Sequence, residues 1–190
     1  MLPRRAFMAG AAAILLPARA FADESASWER LRKGGLVILM RHAATEPGLG
    51  DPQGFRLDDC KTQRNLSEAG REDARRIGAR FKAERVPVAQ VYTSPWCRCR
   101  ETAMLAFGRA EEWAPLSSFF EFPHQEADYT ERVKKRIGGY SRRKLAGNVV
   151  MVTHNVNIAA LTRHSVGTGE MVLVRPDGCC DLRALERLKV

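Results

Sequence analysis

The spacing of apolar residues changes several times along this chain, and the changes divide it into elements. Residues 36–40 (LVILM) form an unbroken apolar run, the pattern of a strand buried on both faces. A polar loop carrying glycines and prolines follows, from about residue 46 to residue 61. From Ser67 onward, Ala74, Ile77 and Phe81 fall at helical spacing, and Ser67 is suited to cap that helix. Residues 88–92 predict a second, short strand that ends at Ser94-Pro95, because a proline restricts the residue before it and has no N–H to donate. A helix is expected over about 97–107, then a loop rich in Phe and Glu. Tyr129, Val133 and Ile137 mark a further helix, expected to end near Gly147. Residues 149–152 (VVMV) predict a third buried strand and residues 170–174 a fourth. Ahead of all of them, a short amphipathic piece bearing Trp28 and Leu31 leads into Gly34-Gly35.

Strands alternating with helices predict an α/β domain, a three-layer sandwich with a mostly parallel central sheet and helices on both faces. No repeat, low-complexity stretch or linker interrupts it, so residues 23–190 are expected to form a single domain.

Residues 1–22 have a different layout. Arg4 and Arg5 precede an apolar run from Phe7 to Leu16, and Ala20-Phe21-Ala22 offers a small-x-small cleavage site before Asp23. That is the three-part plan of a cleavable export signal. The apolar run is about half of the roughly 20 residues a membrane-spanning helix needs, so no stable anchor is expected after cleavage. The paired arginines resemble the twin-arginine type of signal, which makes the twin-arginine export machinery the expected partner and the periplasm or exterior the expected location. An ordinary secretory signal is the alternative.

Loss of residues 1–22 removes three arginines (Arg4, Arg5 and Arg19) and no acid, so the formal charge falls from +9 to +6. A modestly basic chain suits anionic ligands. The basic cluster Lys134-Lys135-Arg136 sits on an expected helix, where a solvated charged face is the simpler reading. Aromatic residues are not interleaved with basic ones as single-stranded nucleic acid prefers, so no nucleic-acid partner is expected. The five cysteines are Cys60, Cys97, Cys99, Cys179 and Cys180, an odd number that leaves at least one unpaired in a monomer. Cys97-x-Cys99 and the adjacent Cys179-Cys180 lack the two-residue gap common in zinc pairs, so no metal is expected. Free thiols are the default for Cys60 and Cys97. The loops that carry them nevertheless leave the same end of the sheet, so a Cys60–Cys97 bridge is open geometrically, with Cys99 competing.

The chemistry-bearing residues gather at strand ends. The first strand runs into Arg41-His42, the second into Thr93-Ser94-Pro95-Trp96-Cys97-Arg98, and the third into Thr153-His154. Sheets of this class bind ligands outside the carboxyl ends of their strands. Two arginines and two histidines from distant parts of the chain are therefore expected at one place.

Residues 36–45 (LVILMRHAAT), 93–103 (TSPWCRCRETA) and 149–162 (VVMVTHNVNIAALT) resemble, in this order, the histidine phosphatase superfamily, which includes the cofactor-dependent phosphoglycerate mutases. The segments CKTQRNLSEAGR and GEMVLVRPDG are similar to those of its small exported branch. The resemblance implies a phosphoglycerate mutase-like fold and a metal-independent phosphatase that needs no cofactor. It implies His42 as the nucleophile that becomes phosphohistidine, Arg41 beside it, Arg98 as the second pocket arginine and His154 as the second pocket histidine. The motif commonly reads Arg-His-Gly; here Ala43 replaces the glycine, and its methyl is expected to narrow the pocket floor.

Physical chemistry independently favours the same roles. A phosphoryl group in flight carries negative charge that planar guanidinium groups can bind through paired hydrogen bonds. Arg41, Arg98 and a protonated His154 would stabilise that charge. His42 must be neutral on its attacking nitrogen, so its other nitrogen should donate to a carbonyl or carboxylate. The first amides of a helix starting near Asn155 are candidate anion donors. The leaving group needs a proton from a carboxylic acid near the pocket; the resemblance implies Glu121, which follows Phe119-Phe120 where the superfamily often places its acid, with Glu126 and Asp128 as nearby alternatives. Arg64 is a candidate for the pocket rim.

The expected substrate is a phosphorylated small molecule or an envelope phosphate ester, hydrolysed by a monomeric or weakly dimeric enzyme. The alternative is a catalytically weak or inactive phosphate-binding or interaction protein on the same scaffold. A mutase fits less well, since export removes the chain from cytosolic sugar phosphates.

Overall fold

A computed structural model describes residues 19–142, 145–178 and 182–190. Of the expected export signal (residues 1–22), residues 1–18 lie outside the described residues and 19–22 open the first helix; Cys179 and Cys180 also lie outside the described residues. The strands are β1 (Val37–Arg41), β2 (Val88–Thr93), β3 (Glu111–Glu112), β4 (Asn148–Thr153), β5 (Met171–Arg175) and β6 (Arg183–Leu188). The α-helices are α1 (Arg19–Lys33), α2 (Glu68–Ala83), α3 (Cys97–Phe107), α4 (Glu126–Tyr140) and α5 (Asn155–Thr162). The strands form one sheet in the order β3-β2-β4-β1-β5-β6. Pairs β1–β4, β2–β4 and β2–β3 are parallel, whereas β1–β5 and β5–β6 are antiparallel. This is the mostly parallel three-layer sandwich expected from the alternation of elements.

Side chains on successive strand residues point to opposite faces, and both faces here are covered. Ile38, Met40, Val150 and Val152 pack with Trp28 and Leu31 of α1, Ile77 and Phe81 of α2, and Cys99 and Ala103 of α3. Val37, Leu39, Val149 and Met151 face the other way, against Val133 and Ile137 of α4 and Ile158 and Leu161 of α5. Two covered faces explain why β1 and β4 read as continuous apolar runs. Each such side chain, fully buried, contributes about 1.5–3 kcal/mol, so these two layers dominate stability.

Local chemistry sets the helix positions. Ser67 caps α2, its hydroxyl accepting the Gly70 amide at 3.1 Å. Gly78 lies where α2 meets α3: a Cβ there would come within 2.2 Å of the Ala106 carbonyl oxygen. An interior helix glycine costs about 1 kcal/mol relative to alanine, offset here by close backbone approach. Asn148, fully buried at the start of β4, accepts from the Leu36 amide and donates to the carbonyls of Leu31 and Pro87, joining three segments.

Three features differ from expectation. Helix α4 stops at Tyr140, short of Gly147. Strand β3 is two exposed residues, too short to leave a periodic signal. Strand β6 is an edge strand whose pattern is broken by exposed Arg183 and Arg187, so alternation does not mark it. Among the described residues, no helix is long and apolar enough to cross a membrane.

Candidate active site

Strands β2, β4 and β1 are immediate neighbours and run in parallel, so their carboxyl ends lie side by side. Arg41 pairs in register with Thr153, the His42 amide donates to the Thr153 carbonyl at 3.0 Å, and the Ser94 amide donates to the Val152 carbonyl at 2.9 Å. The sheet thus brings the three sequence-distant segments together. They line a cavity of about 190 Å³ whose walls include Arg41, His42, Arg64, Arg98, Glu121 and His154.

His42 is 3% exposed and donates from Nδ1 to the Ala43 carbonyl at 2.8 Å. That bond places the proton on Nδ1 and leaves Nε2 with a free lone pair, as a nucleophile requires. Burial first, and then the charges of Arg98, Arg41 and Arg64, push the His42 pKa down to about 3, despite the opposing pull of the Ala43 bond. His154 lies against it, with ring centroids 5.4 Å apart, and its Nε2 is 2.9 Å from Ser94 Oγ. Ser94 Oγ also accepts the Trp96 amide, which frees its hydroxyl hydrogen for His154. Burial, His42 and the same three arginines hold His154 well below the usual histidine range. The expectation of a protonated His154 is therefore corrected for the cavity as it stands: both imidazoles are neutral, and the positive charge comes from the arginines.

Three guanidinium groups converge, one more than the two expected from strand ends. Arg41 donates to the Val166 carbonyl at 2.8 Å. Arg64 donates to Thr45 Oγ1 and the Gly48 carbonyl. Arg98 donates from one terminal nitrogen to both oxygens of Asp51, at 2.8 and 3.0 Å. Burial chiefly, then repulsion from its neighbours, lowers the pKa of Arg41 and of Arg64. The Nε–H of all three is buried without a hydrogen-bond partner among the described residues. Buried donors normally find acceptors. Three orphaned N–H groups on mutually repelling cations form a site built for an anion.

Asp51 was not identified from the sequence. Its shielded carboxylate also accepts the Arg64 amide at 2.9 Å and the Trp96 indole N–H at 3.0 Å, so it links the loop after β1 to the start of α3. One aspartate among several in a polar loop carries no distinguishing sequence signal. Ser94 was missed for a similar reason: beside Pro95 it reads as a strand terminator.

Glu121 reaches the cavity because its loop is pinned over the sheet. Thr153 Oγ1 donates to the Leu116 carbonyl, and the Asn157 side-chain amide donates to the Ser117 carbonyl. Glu121 Oε1 accepts the Asp51 amide at 3.3 Å, while Oε2 is buried with no hydrogen-bond partner among the described residues. Glu126 and Asp128 lie on the exposed first turn of α4, and Asp128 pairs with Arg132. Asn155 lines the cavity at the start of α5; its side-chain oxygen accepts the Val166 amide and the Ser165 hydroxyl, which leaves its side-chain NH₂ as the donor for a ligand.

Two further expectations change. The Ala43 methyl does not narrow the pocket floor; it packs with Leu66 and Ala74 beneath α2. Cys60 and Cys97 are not free thiols but a disulfide, with Cα atoms 5.7 Å apart. Across a sequence separation of 37, such a bridge contributes about 4 kcal/mol in the chain-entropy account. It fixes the segment carrying Gln63 and Arg64 against α3, where Gln63 also accepts the Cys97 amide at 3.0 Å. Cys99 remains a free, buried thiol, its pKa raised by burial to about 12. Among the described residues, no group of three or more His, Cys, Asp or Glu side chains could hold a metal ion.

A family model, histidine phosphatase superfamily (branch 1), matches residues 37–124. Among solved structures, the protein histidine phosphatase SixA complexed with tungstate aligns at 17% identity and TM-score 0.58, covering 80% of this chain and 96% of that one. A putative phosphohistidine phosphatase SixA from Agrobacterium tumefaciens aligns at 20% identity and TM-score 0.54, covering 83% and 99%. A phosphoglycerate mutase from Thermus thermophilus aligns at 19% identity and TM-score 0.51, covering 82% and 99%. At these identities the likeness is one of fold. No sequence among the curated proteins matches the chain.

Proposed function

We infer that the chain belongs to the histidine phosphatase superfamily, and from that premise we propose that it hydrolyses phosphomonoesters through a phosphohistidine at His42. The observation that carries this reading is His42 Nε2, left deprotonated by the Nδ1 bond to Ala43, beside three guanidinium groups with orphaned Nε–H donors.

In the proposed cycle the arginines take the phosphoryl oxygens and supply the positive charge that the transferring group needs. His42 Nε2 attacks phosphorus, the P–O bond to the leaving group breaks, and Glu121 protonates the departing oxygen. Glu121, now a carboxylate, takes a proton from water, which attacks the phosphohistidine. Phosphate leaves and His42 is restored. Every charge that develops is met by a group already in place, which is where most catalytic stabilisation arises.

Mixing the protein with a radiolabelled phosphomonoester and quenching in alkali should trap a base-stable, acid-labile label on the wild type and none on His42→Ala. Undiminished turnover by His42→Ala would overturn the mechanism.

We propose further that the enzyme acts in the periplasm or outside the cell, exported through the twin-arginine machinery. Arg4, Arg5 and the apolar run behind them support this, and so does the Cys60–Cys97 disulfide, since such bridges persist in oxidising compartments. Fractionation checks it: Arg4→Lys with Arg5→Lys should retain the protein inside, and unchanged export would reject the twin-arginine route.

A further inference from the structure

We propose that Leu49 and Phe120 form an apolar collar at the mouth of the phosphate cavity, selecting phosphomonoesters whose organic group is a hydrocarbon next to the phosphoryl group. The proposal deepens the phosphatase reading and rests on it for the word "substrate"; the collar itself is a binding feature that can be tested without turnover.

The inner and outer parts of the cavity differ in chemistry. Its inner walls are guanidinium and imidazole with the Glu121 carboxyl beside them, a set matched to a phosphoryl group. At the mouth stand Leu49, 87% exposed, and Phe120, 50% exposed. Isolated exposed hydrophobic residues are ordinary. Here, however, only four large hydrophobic side chains are exposed among the described residues, and two of the four flank this one opening.

Both are presented on backbone that is held. Arg64 grips the Gly48 carbonyl on one side of Leu49, and Gly50 on the other adopts a φ of +69°, a conformation that suits glycine. A Cβ on Gly50 would lie 3.7 Å from Phe120 Cε1 and 3.2 Å from Glu121 Oε1, so the two loops abut. The Phe120 amide is bonded to Ser118 Oγ, and the Asp51 amide to Glu121. The backbone that carries the collar is therefore held before a ligand arrives, and the two side chains are what binding still has to order. A hydroxyl-rich group such as a sugar would meet hydrocarbon there in place of hydrogen-bonding partners, whereas an alkyl or aryl group would cover Leu49 and Phe120 from water.

Straight-chain alkylphosphonates provide the test, because they keep the anionic head, cannot be hydrolysed, and vary only in apolar length. Complete burial of a methylene contributes about 0.8 kcal/mol. With roughly half of each methylene covered at an open mouth, Kd measured by calorimetry should tighten about 30-fold from methyl- to hexylphosphonate. Leu49→Ser with Phe120→Ser should flatten that trend, and Met104→Ser, at an exposed methionine outside the cavity lining, should leave both methylphosphonate affinity and the trend intact. A Kd independent of chain length, a trend that survives in the double variant, or no phosphonate binding at all would overturn the collar. Failure of the phosphatase reading looks different: the chain-length trend in Kd would persist while the corresponding alkyl phosphates were bound and not hydrolysed.

Discussion

Replacing Asp51 by asparagine removes one negative charge with almost no change in shape. The carboxylate accepts four hydrogen bonds, two from Arg98 and one each from the Arg64 amide and the Trp96 indole. In the variant one oxygen becomes an NH₂ group, and either orientation sets that group against a donor. At least one buried N–H then loses its acceptor, at about 1–3 kcal/mol. The Arg98 side chain, 3% exposed, also loses its counter-charge, and breaking a buried pair on one side costs about 3–5 kcal/mol. These losses overlap, so about 3 kcal/mol is expected in total.

For a chain of this size, about 2–4 °C of Tm accompanies each kcal/mol, giving a fall of about 6–12 °C at pH 7 by calorimetry. The pH dependence supplies a second check. Burial raises the Asp51 pKa, but the Arg98 hydrogen bond, the Arg64 amide and the Arg98 charge together hold it below its ordinary 3.8. A carboxylate with a depressed folded pKa contributes stability that is complete above the unfolded pKa and lost as pH falls through the folded one. The gap between wild type and Asp51→Asn should therefore persist down to about pH 4 and close only below it. A Tm within about 2 °C of wild type at pH 7, or a gap that closes between pH 7 and 5, would refute the role given to Asp51.

Other expectations follow from the same geometry. Glu121→Gln should lose about 100- to 10,000-fold in kcat with an alkyl phosphate and far less with p-nitrophenyl phosphate, whose leaving group departs unaided; equal losses on both would move the proton donor elsewhere. His42 resists protonation to about pH 3 in the fold but takes up a proton near 6.5 when unfolded, so stability should be complete above about 6.5 and decline as pH falls towards 3. A plot of Tm against pH should be shallower in that window for His42→Gln, and an identical slope would count against a buried neutral imidazole.

Periodicity and strand-end chemistry were legible in the sequence because they are local. Residues 36–40 and 149–152 had to be strands covered on both faces, and Arg41-His42, Arg98 and His154 followed strand ends in a class of sheet that binds ligands there. Ser67, Ala74, Ile77 and Phe81 announced α2 through spacing and a cap. What remained hidden depends on which strands become neighbours and how loops fold back on them. The β2-β4-β1 order joined the three motifs, and beside Arg64, already a candidate for the pocket rim, it set Asp51 from the same loop, which has no period of its own. Direction in the sheet was equally hidden: β5 carries the same apolar run whether it pairs parallel or antiparallel. Charge states were decided by tertiary structure alone. His154 is an ordinary histidine in the sequence, and it is neutral here because burial and three converging guanidinium groups oppose its proton. The choice between a Cys60–Cys97 bridge and two thiols also turned on distance in space, since Gln63 and Asp51 draw the loop onto the start of α3 and bring the two Cα atoms within reach of a bond.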